Sequence, residues 1–183
     1  MKIAILDDYQ NAVQDLNCFK LLNAQNVQIL NYTEKNNTLL AEKLYDANII
    51  ILIRERTTID ENLLKLLPNL KLISQTGKIS NHLNLAHCTK YKVAVAEGIG
   101  SPIAPAELTW ALLMNTVRQI PQAIEGMKKG NWQTNIGTTV YGKTIGIWGY
   151  GKIGQKMAQY AKVFGAKVLV WGSESSREKA ESL

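Results

Sequence analysis

Residues 142–171 read GKTIGIWGYGKIGQKMAQYAKVFGAKVLVW, and this stretch decides the class of fold. The apolar run Thr144–Trp148 predicts a short strand, and the glycines after it, Gly149, Gly151 and Gly154, have the spacing G-x-G-x-x-G. In a dinucleotide-binding unit the first glycine permits a tight turn and the second lets the backbone approach a pyrophosphate. The third lets the helix pack closely on the strand. The stretch therefore predicts a turn that holds a pyrophosphate.

The residues after the glycines complete the unit in order. Apolar residues three or four apart predict a helix, Gly165 suits its C-terminal end, and Lys167–Trp171 predicts a second strand. Strand, turn, helix and strand follow one another within about 30 residues, the length of such a unit. We expect the turn to bind NAD or NADP, although an α/β turn without a ligand is the alternative. The turn residues are Gly149, Tyr150, Gly151, Lys152, Ile153 and Gly154.

The acidic residue expected at the end of the second strand is missing. An NAD-binding unit places Asp or Glu about 20 residues beyond the motif, where it accepts the ribose hydroxyls. Gly172 stands there instead, and Ser173, Glu174 and Arg177 follow. Glu174 could reach the ribose, or the open glycine, the serine hydroxyls and Arg177 could accept a 2′-phosphate. The pair Ser175–Glu178 also predicts a capping box, which is compatible with either cofactor.

Composition bounds the class of protein. The chain has 183 residues, 46% hydrophobic, a net charge of +6 and two cysteines, Cys18 and Cys88. This length suits one large or two small domains, and so few cysteines indicate a reducing, cytoplasmic setting. Lysines are scattered among acidic residues without a basic block, which argues against nucleic acid as a partner. The longest apolar run, Ile49–Ile53, is far shorter than the ~18 residues of a membrane span.

The first hundred residues alternate short aliphatic strands with amphipathic helices. Continuous Val, Ile and Leu runs predict a parallel sheet covered on both faces, and thus a doubly wound domain. The predicted strands are Lys2–Leu6, Val27–Leu30, Asn48–Ile53, Leu70–Ser74 and Val93–Val95, and the predicted helices are Ala12–Leu22, Leu39–Leu44, Ile59–Leu67 and Leu85–Lys90.

A break and a long apolar helix follow this domain. Residues 96–105 are rich in Gly, Pro and Ala and predict an interdomain hinge. The helix predicted over 106–117 is apolar around most of its circumference, which indicates burial on most sides. The helix could connect the domains, form an oligomer seam, or both, and we expect a homodimer through it. The seam residues expected are Trp110, Leu113, Met114 and Val117.

Taken together, these segments resemble the D-isomer-specific 2-hydroxyacid dehydrogenases. The resemblance runs from Met1 to about Arg177 and rests on several motifs in family order. They are Asp7-Asp8-Tyr9, Arg54-Glu55-Arg56-Thr57, Pro68-Asn69-Leu70-Lys71, Thr76-Gly77, Ala106-Glu107-Leu108-Thr109-Trp110, Gly130-Asn131-Trp132, and Tyr141-Gly142-Lys143-Thr144 before the glycines.

The resemblance implies a two-domain α/β oxidoreductase. Residues 1–100 would form a flavodoxin-like substrate domain without its C-terminal segment. Residues 101–183 would supply the connecting, dimerising helix and the first part of a Rossmann NAD(P)-binding domain. The implied reaction transfers a hydride between a small 2-hydroxy or 2-keto acid and a nicotinamide cofactor, in the cleft between the domains.

The family's catalytic residues have no counterpart in these 183 residues. The resemblance places a carboxylate-binding Arg, a general acid/base His and a Glu that tunes the His beyond position 183. We therefore expect an N-terminal portion of a dehydrogenase that is inactive alone, with no catalytic residue to nominate. A non-catalytic remnant that binds dinucleotide or dimerises is the alternative.

The loop after the fourth strand is the candidate substrate site. The resemblance implies that backbone N–H groups of Thr76, Gly77 and Lys78 hold the substrate carboxylate, with Lys78 adding a positive charge. Arg54 follows the third strand at the same edge and joins this set, and Arg56 lies two residues on. A plain tight turn and solvated arginines are the alternatives.

The histidines do not predict a metal site. His82 and His87 are five residues apart, which does not match the i, i+4 pairing of a helical metal site, and Cys88 alone does not complete one. We expect both histidines at the surface or at helix ends.

Overall fold

The computed structural model describes residues 1–181 of the chain. Contacts between Cα atoms divide it into two compact units, Met1–Gly100 and Ser101–Leu183. Each unit is built on a parallel sheet, and the α/β fold class is confirmed.

The first unit is a five-stranded parallel sheet with the order β2-β1-β3-β4-β5. Its strands are β1 Lys2–Leu6, β2 Asn26–Ile29, β3 Ile49–Leu52, β4 Leu72–Gln75 and β5 Ala94–Glu97. In the register Ile3 lies beside Ile49, and Ile49 lies beside Leu72. The chain reverses its direction of travel across the sheet between β1 and β3. Open α/β sheets bind ligands at the carboxyl edge near such a switch point.

Aliphatic side chains form the core of this unit, as the continuous strands predicted. Ile50, Leu52, Leu44, Leu63 and Ile73 are all 0% exposed. Complete burial of each such side chain contributes about 1.5–3 kcal/mol, so this core stabilises the sheet. The helices over the sheet are α1 Asn37–Leu44, α2 Glu61–Lys65 and α3 Leu85–Lys90.

The helix predicted over Ala12–Leu22 is wrong. The segment forms two short 3₁₀ helices, Val13–Asp15 and Asn17–Leu22, and Leu16 between them is extended, with φ −73° and ψ 134°. The Asp8 carboxylate binds the N–H groups of Ala12 and Val13, each at 3.0 Å, and so anchors the start of the segment. None of the 3₁₀ residues is buried, so no packed face favours one continuous helix.

The second unit contains a two-stranded parallel sheet and four helices among its described residues. They are α4 Ile103–Arg118, α5 Ile120–Lys128, β6 Thr144–Trp148, α6 Lys152–Val163, β7 Lys167–Trp171 and α7 Glu174–Glu181. The register pairs Thr144 with Lys167 and Trp148 with Trp171, so both strands end at one edge.

The residues expected to form a dimer seam pack inside this unit instead. The Trp110 ring lies 5.9 Å from that of Tyr160 and 4.8 Å from that of Phe164, between ring centroids. The other three seam residues, Leu113, Met114 and Val117, pack against a core that includes Ala161 of α6. The apolar pattern of α4 therefore covers the adjacent helix and sheet within the same chain. Within the single chain, Leu108 and Leu112 of the same helix are 62% and 59% exposed, so burial of this helix on most sides would require a partner and stays a prediction.

No helix among residues 1–181 is long and apolar enough to cross a membrane. The same described residues hold no cluster of three or more His, Cys, Asp or Glu side chains suited to a metal ion.

Candidate functional site

The glycine turn connects β6 to α6. Gly149 has φ +90°, a left-handed conformation that favours glycine, and its N–H donates to the Trp171 carbonyl at 2.7 Å. This bond ties the turn to the end of β7. A Cβ on Gly154 would collide with the Gly149 carbonyl oxygen. The first turn of α6 therefore lies directly on the end of β6, as the third glycine of the motif requires.

The start of α6 is open. A Cβ on Gly151 would meet no atom within 4 Å, and no side chain caps the helix at this residue. The first N–H groups of a helix have no intrahelical acceptor, so those of Lys152, Ile153 and Gly154 point out from the helix start. Uncapped N–H groups and the positive end of the helix dipole suit a phosphate group.

Tyr150 contributes backbone rather than a side chain to the turn. Its side chain is buried, and burial raises the pKa of the phenol. Its carbonyl accepts a bond of 3.2 Å from the Gln155 amide. The neighbouring Lys152 and Ile153 side chains are exposed.

Gly172 and Ser173 lie where β7 ends, next to the glycine turn. A Cβ on Gly172 would lie 3.5 Å from the Gly149 Cα atom. Helix α7 begins at Glu174, so the Ser175–Glu178 capping box is wrong and Ser173 occupies the cap position. The Ser173 carbonyl accepts from the N–H groups of Ser176 and Arg177 at 2.9 and 3.1 Å.

Arg177 lies beside β7. It lines a groove with Lys162 and Ala166–Val170, which extends to the start of the strand. Its contact with a cofactor stays a prediction.

Two tryptophans lie at the edge of the sheet where β6 and β7 end. Trp148 and Trp171 end the paired strands, and their rings form an edge-to-face pair with centroids 4.8 Å apart. They are 84% and 64% exposed. The sequence showed both residues at strand ends, but not that their side chains meet.

The candidate carboxylate loop follows β4 in the first unit. Thr76 donates its N–H to the Leu52 carbonyl at 3.0 Å, whereas in the described part of the chain the N–H groups of Gly77 and Lys78 have no protein acceptor. A Cβ on Gly77 would meet nothing within 4 Å. The loop therefore offers two free backbone donors beside open space, the arrangement that a carboxylate needs.

Glu97, which the sequence analysis missed, controls the charge at this loop. Its carboxylate pairs with the Lys78 ammonium and accepts the Ile79 N–H at 3.0 Å. The Ile79 N–H and then Lys78 lower the pKa of Glu97. Lys78 therefore does not present an unpaired positive charge. The predicted strand ended at Val95, two residues too early to place Glu97 beside the loop.

His82 is part of the same region and is not a surface residue. It is 7% exposed, and its Nε2 lies 3.1 Å from the Gln75 side-chain oxygen. The His82 carbonyl also accepts the Ile59 N–H at 2.8 Å. The first bond ties the loop after β4 to the end of that strand, and the second ties it to the segment before α2. His87 lies on α3 with its Nε2 3.9 Å from a Glu61 oxygen, a surface position as expected.

The arginines after β3 have different surroundings. Arg54 is exposed and has a left-handed backbone with φ +63°. Arg56 donates to the Asp7 carbonyl at 2.6 Å and lies over the Tyr9 ring at 4.3 Å. Arg56 therefore joins the ends of β1 and β3.

Asp7 is the centre of this junction. Its carboxylate is buried and accepts hydroxyl groups from Thr33 at 2.5 Å and Thr57 at 2.8 Å. These bonds hold the segments after β1, β2 and β3 together at the switch-point edge.

Comparison with known proteins agrees with this geometry. Residues 110–183 match the model of the NAD-binding domain of D-isomer-specific 2-hydroxyacid dehydrogenases. The chain belongs to this dehydrogenase family. The matched domain supports NAD as the cofactor.

Individual relatives in the dehydrogenase family cover the first unit as well. D-3-phosphoglycerate dehydrogenase of Methanocaldococcus jannaschii is 32% identical over 147 residues, which are 79% of this chain and 28% of that protein. The rat enzyme of the same name is 31% identical over 168 residues, 90% of this chain and 31% of the relative. The chain thus spans about a third or less of these two curated relatives.

Solved structures from the dehydrogenase family match the whole chain. Phosphoglycerate oxidoreductase of Vibrio cholerae O395 is 54% identical with a TM-score of 0.93, and this chain covers 59% of it. A putative D-3-phosphoglycerate dehydrogenase of Ralstonia solanacearum is 48% identical with a TM-score of 0.93, and 58% of it is covered.

Proposed function

We propose that this chain is part of an NAD-dependent oxidoreductase that interconverts a small 2-hydroxy acid and the corresponding 2-keto acid. The observation that carries the proposal is the uncapped start of α6 at Gly151, with open space where a Cβ would stand. The names of the relatives favour a 2-hydroxy acid of the phosphoglycerate class.

The two candidate sites have separate tasks. The N–H groups at the start of α6 bind the pyrophosphate, and the end of β7 lies beside the adenosine half. In the first unit, the N–H groups of Gly77 and Lys78 bind the substrate carboxylate, and the exposed Arg54 adds positive charge at the same sheet edge. Bound nicotinamide supplies the hydride acceptor or donor, and the protein orients the reactants.

Turnover requires an acid/base that these residues do not provide. The family resemblance assigns that task to a His tuned by a Glu, and it assigns binding of the substrate carboxylate to an Arg. None of the 183 residues matches these three. We expect the 183-residue polypeptide to bind dinucleotide without catalysing hydride transfer, in a reducing, cytoplasmic setting.

Two measurements on the purified polypeptide test this proposal. Calorimetric titration with NADH should show saturable binding, and the absorbance of NADH should stay constant with glyoxylate or hydroxypyruvate present. Absence of NADH binding would contradict the cofactor assignment. Protein-dependent oxidation of NADH would contradict the assignment of the catalytic groups.

Self-association is a second property that the surface favours. The residues first expected at a dimer seam pack within the chain, but Leu108 and Leu112 lie one turn apart on α4 and are exposed. Met127 of α5 is 58% exposed. We expect a homodimer through the exposed side of α4. The alternative function is that of a non-catalytic remnant that binds dinucleotide or dimerises.

A further inference from the structure

The end of β7 is crowded at Gly172, the position where an NAD-binding unit usually carries an acidic residue. A Cβ on Gly172 would lie 3.0 Å from the Cβ and 3.3 Å from the Oγ atom of Ser176. The hydroxyl of Ser176 can rotate away, but its Cβ is fixed by the backbone of α7. A side chain at position 172, a carboxylate included, would therefore press on the first turn of α7, which would have to shift by a few tenths of an ångström.

Hydrogen bonds hold that first turn in place. The Ser176 N–H donates to the Ser173 carbonyl at 2.9 Å, and the hydroxyl groups of Ser175 and Ser176 each lie 3.2 Å from that of Ser173. Ser176 is half-buried at the end of β7. The packing of α7 therefore favours glycine at position 172.

The adenosine ribose still needs an acceptor for its hydroxyl groups. Glu174 carries the only carboxylate between Gly149 and Arg177. It is the first residue of α7, two positions after Gly172, and its exposed side chain forms no ion pair among the described residues. Arg177, the nearest cation in sequence, lines the groove that extends to the start of β7.

We infer that Glu174, from the first turn of α7, accepts the ribose hydroxyls and selects NAD over its 2′-phosphorylated form. The inference rests on the proposed dinucleotide site and names its specificity residue. A carboxylate there accepts two O–H donors and repels a 2′-phosphate. The acceptor proposed here stands two residues along the chain from Gly172, whose Cβ position is crowded by Ser176.

Titrations of the 183-residue chain with NADH and with NADPH test this assignment. The wild type should bind NADH more tightly than NADPH. Glu174→Gln should weaken NADH binding about tenfold or more, the effect of losing hydrogen bonds to a charged group, and should not weaken NADPH binding. Glu178→Gln, one turn further along α7, is the matched control and should leave both affinities unchanged.

A second pair of variants tests the steric cause. Gly172→Asp should weaken NADH binding, although it restores the usual acidic position. Adding Ser176→Gly to Gly172→Asp removes the obstructing Cβ and should recover the affinity. Far-UV circular dichroism checks that each variant is folded.

These titrations distinguish failure of the Glu174 assignment from failure of the proposed dinucleotide site. An unchanged NADH to NADPH ratio in Glu174→Gln, or tighter NADH binding by Gly172→Asp alone, would overturn the inference and leave the dinucleotide site standing. A wild-type chain that bound neither dinucleotide would overturn the proposed function and the inference together.

Discussion

Gly154 lies so close to Gly149 that a Cβ on Gly154 would collide with the Gly149 carbonyl oxygen. The third glycine of the motif is therefore a packing residue, whereas Gly151 has open space at the Cβ position, where we propose that the pyrophosphate binds. Stability and binding can thus be separated by substitutions three residues apart.

The first prediction concerns stability. Gly154→Ala should destabilise the second unit by about 1–3 kcal/mol, because the added methyl group overpacks the contact between α6 and β6. Urea unfolding measures the change in the free energy of unfolding. Gly146→Ala is the control, since a Cβ there meets nothing within 4 Å. Equal midpoints for the two variants would show that α6 shifts without cost.

The second prediction concerns binding. Gly151→Val should leave the unfolding free energy near that of the wild type, because the backbone φ of −76° suits any residue. Its side chain would stand where the pyrophosphate approaches, so we expect the NADH affinity to fall by at least about tenfold. Equilibrium dialysis measures the affinity, with Gly146→Val as the control. Wild-type affinity in Gly151→Val would place the dinucleotide elsewhere.

The third prediction concerns pH at the carboxylate loop. The pKa of Glu97 is held below its ordinary value of 4.5 by the Ile79 N–H and by Lys78. Because the pKa of Glu97 is lower in the folded state, these interactions stabilise the loop at pH values above the ordinary pKa. Their contribution is lost as the pH falls through the lowered pKa. A carboxyl NMR titration should give a Glu97 midpoint below 4.5, with the Ile79 amide shift following it.

The same titration has a clear control. Glu97→Gln removes the titrating group, so the Ile79 amide shift should lose its acid step. A Glu97 midpoint at or above 4.5 would mean that the pairing with Lys78 and Ile79 does not persist in solution.

The fourth prediction concerns association. Leu112→Glu should convert a dimer to a monomer without a large loss of stability, since Leu112 is 59% exposed. Leu113→Glu should instead destabilise the chain by several kcal/mol, because it buries a charge in the packing between α4 and α6. Light scattering after size exclusion gives the mass, and urea unfolding gives the stability. A monomeric wild type would refute the association.

The apolar pattern predicted strands and helices best where the flanking turn residues indicate the same bounds. The strands Lys2–Leu6 and Lys167–Trp171 and the helix Leu85–Lys90 were predicted with the bounds that the structure has. Their apolar pattern and their flanking turn residues agree with each other. Segment 12–22 has apolar residues but no packed face, and there the prediction of a helix was wrong.

The sequence predicted those parts of the candidate sites that one continuous segment forms. The glycine spacing identifies the turn and the start of α6 because one continuous segment forms both. Glu97 and Lys78 are 19 residues apart and meet through the pairing of β4 with β5, which a single sequence does not reveal. The apolar residues of α4 likewise do not reveal whether their partner is α6 or a second copy of the chain.

The tryptophan pair at the ends of β6 and β7 gives the molecule an intrinsic optical reporter. Trp148 and Trp171 are adjacent in register to Gly149 and Gly172, at the edge where the dinucleotide is expected. Indole emission overlaps the absorption of reduced nicotinamide, so a bound NADH within energy-transfer range quenches it. The loading of this site is therefore readable from fluorescence of the unlabelled chain.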